Sequence, residues 1–199
     1  MKIGIIGAGG IGQAFASQVV KAGYEVILSN SRGPDSLREA LSQLGPRARA
    51  GNREQAAKAD IVFLSVPWLE VRGALAGLPP WNGRILIDAT NPVEQPGFRL
   101  AELGGRNSSQ VVASIATGAR VVKTANTLLR AMLAADPHVG GGNRVLFVSG
   151  DDAAAKATVS QMLEKAGFAT IDLGSLEVGG YLQQFPGGPL PTLNLVKFR

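Results

Sequence analysis

The residues with most chemical meaning lie near the start of the chain. Gly7-Ala8-Gly9-Gly10-Ile11-Gly12 has the spacing G-x-G-x-x-G, directly after an apolar stretch, Lys2 to Ile6, and ahead of an amphipathic run from about Ile11 to Ala22. Such a spacing is informative where a strand ends and a helix opens. Gly7 can make the tight turn, Gly9 lets backbone approach a diphosphate, and Gly12 permits close helix–strand contact. Gly7, Ala8, Gly9, Gly10, Ile11 and Gly12 are therefore expected to cradle the diphosphate of a dinucleotide. The helix N-terminus would hold it through free N–H groups and the macrodipole. Eighteen residues beyond Gly12 the chain reads Asn30-Ser31-Arg32-Gly33-Pro34, with no Asp or Glu at the position that usually accepts from a ribose 2′-hydroxyl. Arg32 offers a guanidinium fork, Ser31 a hydroxyl donor, and a helix opening at Pro34 another positive dipole end. Asn30, Ser31 and Arg32 are thus read as a 2′-phosphate site, which predicts NADP(H) rather than NAD(H).

Ligands in open α/β sheets sit at the carboxyl ends of strands. Two further segments qualify: Ser65-Val66-Pro67-Trp68 and Asp88-Ala89-Thr90-Asn91-Pro92. A proline fixes each turn and removes a donor. Val66, Pro67, Trp68, Asn91 and Pro92 are expected to border the cofactor, with carbonyls or the Asn91 amide toward the nicotinamide carboxamide or ribose. Plain turn chemistry explains the same residues. Asp151 and Asp152 stand between a strand and a helix, where capping is a simpler role than acid catalysis. No G-x-S-x-G element appears.

Composition narrows the field. The 199 residues contain no cysteine, which excludes disulfides, thiolate metal sites and dithiol chemistry, so redox work must come from a bound cofactor. The one histidine, His138, lies in a loop-like stretch and is too few for a metal site. A net charge of +5, with 13 Arg against 7 Lys, favours an anionic ligand. Arg47, Arg49 and Arg53 form the only local basic cluster; without interleaved aromatics it reads as a solvated face, not a nucleic-acid stripe. Lys2, the apolar stretch and Ala14-Phe15-Ala16 superficially copy a secretory signal, but four glycines between Gly4 and Gly10 would break its helix. With no run near the ~20 apolar residues of a bilayer span, neither membrane nor nucleic acid is an expected partner, and the cytoplasm is the expected compartment.

The elements that must position these residues alternate. Strands are predicted at Lys2–Ile6, Tyr24–Ser29, Asp60–Val66, Arg84–Asp88, Val121–Thr124, Arg144–Ser149 and Ala169–Leu173. Helices are predicted from Ile11 to Ala22 with Gly23 as C-cap, Pro34 to Leu44, Leu128 to Ala135, and Ala153 to Ala166. This βαβα order predicts a doubly wound (Rossmann) α/β fold with a mostly parallel sheet, helices on both faces and right-handed crossovers. A single domain over 1–199 is expected: a fingerprint half (1–92), a second half (93–173), and a Gly/Pro-rich segment (174–199) suited to a covering loop or an interface.

Together these segments resemble the NADP-dependent reductases of the deazaflavin coenzyme F420 and their bacterial NADP oxidoreductase relatives. The resemblance rests on Gly7 to Gly12, Asn30-Ser31-Arg32, Val66-Pro67-Trp68, Asp88 to Pro92, Val122-Lys123-Thr124-Ala125-Asn126-Thr127 and Gly150-Asp151-Asp152. Ile171 to Leu176 followed by Gly179-Gly180 adds to it. It implies hydride exchange between NADPH and a flavin-like ring stacked over the nicotinamide, a step that needs positioning more than acid–base groups. It also implies that Asn126 and Thr127 face the second substrate. One departure stands out: Thr124-Ala125-Asn126 replaces the family's common Ala-Phe-Asn, so an aromatic surface is lost.

The expected activity is NADPH-dependent hydride transfer to a flavin, deazaflavin or quinone-like acceptor, without a dedicated catalytic side chain. A non-catalytic NADP(H)-sensing or partner-binding module is the alternative. Imine and hydroxyacid reductases, which share similar N-terminal halves, carry a long helical C-terminal domain that this length does not accommodate. A homodimer is expected, since the chain offers little to close an acceptor pocket alone.

Overall fold

In a computed structural model describing residues 1–198, the first half of the chain forms β1 (Lys2–Ile6), α1 (Gly10–Lys21), β2 (Glu25–Ser29), α2 (Arg38–Leu44), β3 (Ala48–Ala50), α3 (Arg53–Ala56), β4 (Ile61–Leu64), α4 (Val71–Leu75) and β5 (Ile85–Asp88). A two-stranded hairpin follows, β6 (Val93–Glu94) with β7 (Arg99–Leu100). Next come α5 (Ser108–Ile115), β8 (Arg120–Lys123), α6 (Arg130–Ala134), β9 (His138–Val139), β10 (Gly142–Gly150), α7 (Ala153–Lys165), β11 (Ala169–Asp172), α8 (Leu176–Gln183) and β12 (Val196–Phe198).

The main sheet runs β3-β2-β1-β4-β5-β8-β10-β11. Its first six strands are parallel. The expectation of a mostly parallel, doubly wound Rossmann sheet is met, with one reversal: β10 lies antiparallel to β8, and β11 runs with β10. Strand order reverses between β1 and β4, which places the switch point where the glycine fingerprint ends β1.

Period-2 alternation in the strands separates two cores. Ile3, Ile5, Phe63, Ile85, Ile87 and Val122 face α1, α6 and α7, whose Phe15, Val19, Leu133, Val159 and Met162 meet them. Phe15 stacks on Phe63 at 3.8 Å between ring centroids. On the other face Ile6, Val62, Leu64, Leu86 and Val121 meet Ala56, Val71, Leu75, Val112 and Leu176. Each fully buried Ile or Phe contributes about 1.5–3 kcal/mol, so both faces of the strands that carry the site are anchored by packing.

Several boundaries follow from capping chemistry. Gly23 ends α1 at φ 92° with its N–H on the Val20 carbonyl, and Pro34 opens a 3-10 turn that leads into α2. Asp152 caps α7 by accepting from Ala155 N at 2.7 Å, while Asp151 accepts from Leu176 N at 2.9 Å. His138 is exposed and pairs with Asp136.

The Gly/Pro-rich end corrects one expectation. It is not merely a covering loop: Ser175 caps α8, whose Leu176, Gly179, Gly180 and Gln183 are buried, and β12 adds to the edge of β10. The composition misled because Gly179 serves packing there; a β-carbon on it would stand 2.4 Å from Cβ of Ser149.

Candidate dinucleotide groove

A groove of about 860 Å³ opens at the carboxyl ends of β1, β2 and β4. Eight of the residues picked out from sequence line it together: Gly7, Ala8, Gly9, Asn30, Ser31, Arg32, Val66 and Pro67. Trp68 instead lines a neighbouring hollow of about 320 Å³ with Leu103 and Val111. Gly10, Ile11 and Gly12 form the first turn of α1 behind the groove.

Close contact builds the turn after β1. Gly7 sits at φ 105°, and a β-carbon there would meet the Ser65 carbonyl oxygen at 2.4 Å. The Ser65 hydroxyl donates to the Gly7 carbonyl at 2.8 Å, tying the β1 and β4 ends across the switch point. The N–H groups of Gly7 and Ala8 both donate to the Ser29 carbonyl, at 3.1 and 3.0 Å, so the end of β2 is locked to the same turn. Gly9, by contrast, faces open space. Gly9 caps α1 without a side-chain acceptor, and no acidic residue lies in the first turn. The positive end of a twelve-residue helix is therefore left for an anion.

At the β2 end the Asn30 side chain organises the loop. Its Oδ1 accepts from Arg32 N at 3.0 Å, and its Nδ2 donates to Ser36 Oγ at 2.8 Å. Ser31 and Arg32 are exposed. The nearest acidic residue in sequence, Asp35, is occupied by Arg38 at 3.0 Å, and Arg32 has no ion pair among the described residues. A free guanidinium beside a serine hydroxyl suits a dianionic phosphate.

Sequence reasoning missed part of this wall. Arg53, read as solvated surface, lines the groove with Asn52 and Glu54; it bonds the Gly73 carbonyl and pairs with Glu54 at 2.8 Å. The available signal was Asn52-x-x-Gln55, a capping box that turns the chain toward the groove.

Behind the groove lies a buried network. Lys123 Nζ sits 3.2 Å from Asp88 Oδ2, with both side chains fully buried, and donates to the Thr90 carbonyl at 2.8 Å. Asp88 also accepts from Thr90 N, Thr90 Oγ1 and Ser109 Oγ at 2.9, 2.6 and 2.5 Å. Burial pushes the Lys123 ammonium below its ordinary value, and the Asp88 charge and hydrogen bond oppose that shift. The pair fixes the segments that follow β5 and β8.

Those segments carry Asn91 and Pro92, and Asn126 and Thr127. Asn91 Nδ2 donates to the Asn126 carbonyl, and Asn91 Oδ1 accepts from Asn126 Nδ2, each at 2.9 Å, and from Phe185 N at 3.2 Å. Most of the Asn91 amide is thus engaged within the protein. Asn126 Nδ2 also donates to the Gln183 carbonyl at 2.7 Å, whereas Asn126 Oδ1 is buried with no donor among the described residues. The Thr127 carbonyl accepts from Thr192 N at 2.7 Å. Pro92 is buried.

No cluster of His, Cys, Asp and Glu able to hold a metal occurs among the described residues, and none of their helices is long and apolar enough to cross a membrane. Residues 2–92 match the family model of NADP oxidoreductase, coenzyme F420-dependent. A hypothetical protein of Sinorhizobium meliloti superposes with a TM-score of 0.94 at 42% identity, covering 99% of this chain and 96% of that one. A proposed F420-dependent NADP-reductase from Arthrobacter sp. FB24 superposes at 0.75 with 28% identity, over 88% and 86% of the two chains. Metalloreductase STEAP3 of Rattus norvegicus is 30% identical over 193 residues, which are 96% of this chain and 37% of STEAP3. The chain spans little more than a third of the curated metalloreductases it matches. The fingerprint turn at a Rossmann switch point, the family-model match over residues 2–92 and the likeness to a proposed F420-dependent NADP-reductase point the same way: the first half of this chain is similar to the NADP oxidoreductase, coenzyme F420-dependent, family.

Proposed function

We propose that the chain holds NADP(H) in this groove and passes hydride between the nicotinamide and a flavin, deazaflavin or quinone-like acceptor. The observation that carries the reading is the convergence on one groove of an uncapped helix N-terminus and the Asn30-Ser31-Arg32 loop. They suit the two phosphate groups of the molecule: Gly7 to Gly12 the diphosphate, Asn30 to Arg32 the 2′-phosphate. Open space at Gly9 supports the fit, as room for a diphosphate.

When bound, the reduced nicotinamide supplies the hydride. The protein's part is placement. Val66 and Pro67 border the groove, Trp68 turns away to its own hollow, and the Asp88–Lys123 network holds the Asn91-Pro92 and Asn126-Thr127 segments in position. Asn126 and Thr127 are assigned to the acceptor side. The whole of 1–199 acts as one NADP-binding unit, with 174–199 closing its second half. A homodimer is part of the proposal, supported by apolar side chains left exposed: Phe98, edge-on to Phe185 at 6.5 Å, and Leu129 are each 62% exposed.

The test is titration with NADPH and NADP⁺, then NADPH oxidation with FMN, FAD, F420 and simple quinones. Turnover with at least one acceptor is expected. Tight binding without turnover on any acceptor would favour a sensor, and indifference to both nucleotides at millimolar concentration would end the reading. The metalloreductase likeness adds one arm, reduction of a chelated metal ion. Light scattering that finds a stable monomer would remove the dimer.

A further inference from the structure

We propose that Arg130 is a second anion ligand of the groove, its guanidinium reaching the diphosphate that rests on the first turn of α1. This deepens the dinucleotide reading and rests on it. Gly10 supplies the first observation. It is the one glycine of Gly7 to Gly12 whose identity the fingerprint spacing leaves unexplained, and the arginine stem lies across it: a β-carbon on Gly10 would stand 2.6 Å from Arg130 Cδ and 3.3 Å from Nε.

That position is held from below. Arg130 opens α6 at its first residue, and α6 is anchored on α1 by the buried Gln18, whose Nε2 donates to the Leu133 and Ala135 carbonyls at 2.9 and 2.8 Å. Leu128 and Leu133 sit in the same core as Phe15 and Val19 of α1. Arg130 itself is exposed and has no carboxylate partner among the described residues.

Electrostatics makes the placement informative. A cation beside a helix N-terminus is repelled by the macrodipole, so a guanidinium at the uncapped end of α1 is unfavourable until an anion lies between them. A diphosphate, accepting from backbone N–H groups on one side and from Arg130 on the other, removes the conflict. Arg32 would then select the phosphorylated ribose. Arg130 would grip what both dinucleotides share.

The two roles separate by ligand. Binding of NADPH, NADH and 2′-AMP is measured by calorimetry or competition for wild type, Arg130→Ala, Arg130→Lys and Arg32→Ala, with thermal midpoints for all. Arg130→Ala is expected to weaken NADPH and NADH alike by about ten- to hundredfold, as loss of a charged hydrogen bond does, and to leave 2′-AMP, which has no diphosphate, within about twofold. Arg130→Lys should recover part of the loss. Arg32→Ala should show the converse, losing NADPH and 2′-AMP while sparing NADH. Unchanged dinucleotide affinity in Arg130→Ala, or an equal loss of 2′-AMP, overturns the role of Arg130 while the groove reading stands. Failure of wild type to bind any of the three removes both.

Discussion

Gly12 lies so close behind Gly7 that a β-carbon on it would stand 2.1 Å from the Gly7 carbonyl oxygen. That carbonyl is also the acceptor of the Ser65 hydroxyl, so helix α1, the fingerprint turn and the β4 end share one point of contact. A β-carbon on Gly9, two residues from Gly7, would meet nothing within 4 Å. The two glycines should respond in opposite ways to the same substitution. Gly12→Ala is expected to cost about 1–3 kcal/mol of stability by overpacking, read as a lowered urea midpoint. Gly9→Ala has an ordinary extended backbone, φ −76° and ψ −169°, and should melt like wild type while losing NADPH affinity. A Gly9→Ala protein that binds NADPH normally would show that no ligand approaches there.

Among the described residues Arg32 has no carboxylate partner, it stands beside Ser31, and selectivity for the 2′-phosphate should reside there. Arg32→Ala is expected to weaken NADPH binding by about 1.5–3 kcal/mol, the worth of hydrogen bonds to a charged group, and to leave NADH binding nearly unchanged. Calorimetric titration of both nucleotides checks this. Equal losses for the two would refute the assignment.

Buried ion pairs are costly to halve. Asp88 and Lys123 are both fully buried, so Lys123→Met leaves a carboxylate without its counter-ion, and Asp88→Asn leaves an ammonium in the same position. Each single variant should lose about 3–5 kcal/mol of unfolding free energy. The double variant should cost clearly less than the sum, because its second substitution no longer strands a charge. Strict additivity in urea denaturation would mean that the two groups do not stabilise one another.

Legibility in the sequence followed the range of the forces involved. The fingerprint, the Asn30 to Arg32 loop and the parallel strands were readable because glycine spacing, turn chemistry and near-continuous apolar runs act locally. β3 was missed because Ala48-Arg49-Ala50 has too little apolar character to announce a strand; it is held by pairing with β2. α8 was missed because its glycines serve contacts with Ser149 and Asn107, residues far away in sequence. Arg53 was misjudged for a related reason: nothing near it shows that α4 supplies the Gly73 carbonyl to hold its guanidinium. The reversal of β10 likewise depends on pairing partners that no local pattern encodes.

Asn126 joins three parts of the chain. Its amide nitrogen donates both to Asn91 Oδ1, beyond β5, and to the Gln183 carbonyl at the end of α8, while its own oxygen is buried without a donor among the described residues. Asn126→Ala removes the two donations and leaves the Gln183 carbonyl without that donor, while Asn91 Oδ1 keeps Phe185 N, which should lower stability by about 1–3 kcal/mol. Were that the residue's whole purpose, kinetics at a temperature where the variant is fully folded would match wild type. The acceptor-side role predicts otherwise: kcat with the best flavin or quinone should fall while the Kd for NADPH stays near its wild-type value, since Arg32 and the α1 turn line the groove and Asn126 does not. Asn126→Asp provides the contrast. It restores an acceptor at Oδ1 but sets a carboxylate against Asn91 Oδ1 and the Gln183 carbonyl, so it should be less stable than Asn126→Ala. A variant that is destabilised yet keeps full kcat would confine Asn126 to holding the loops together.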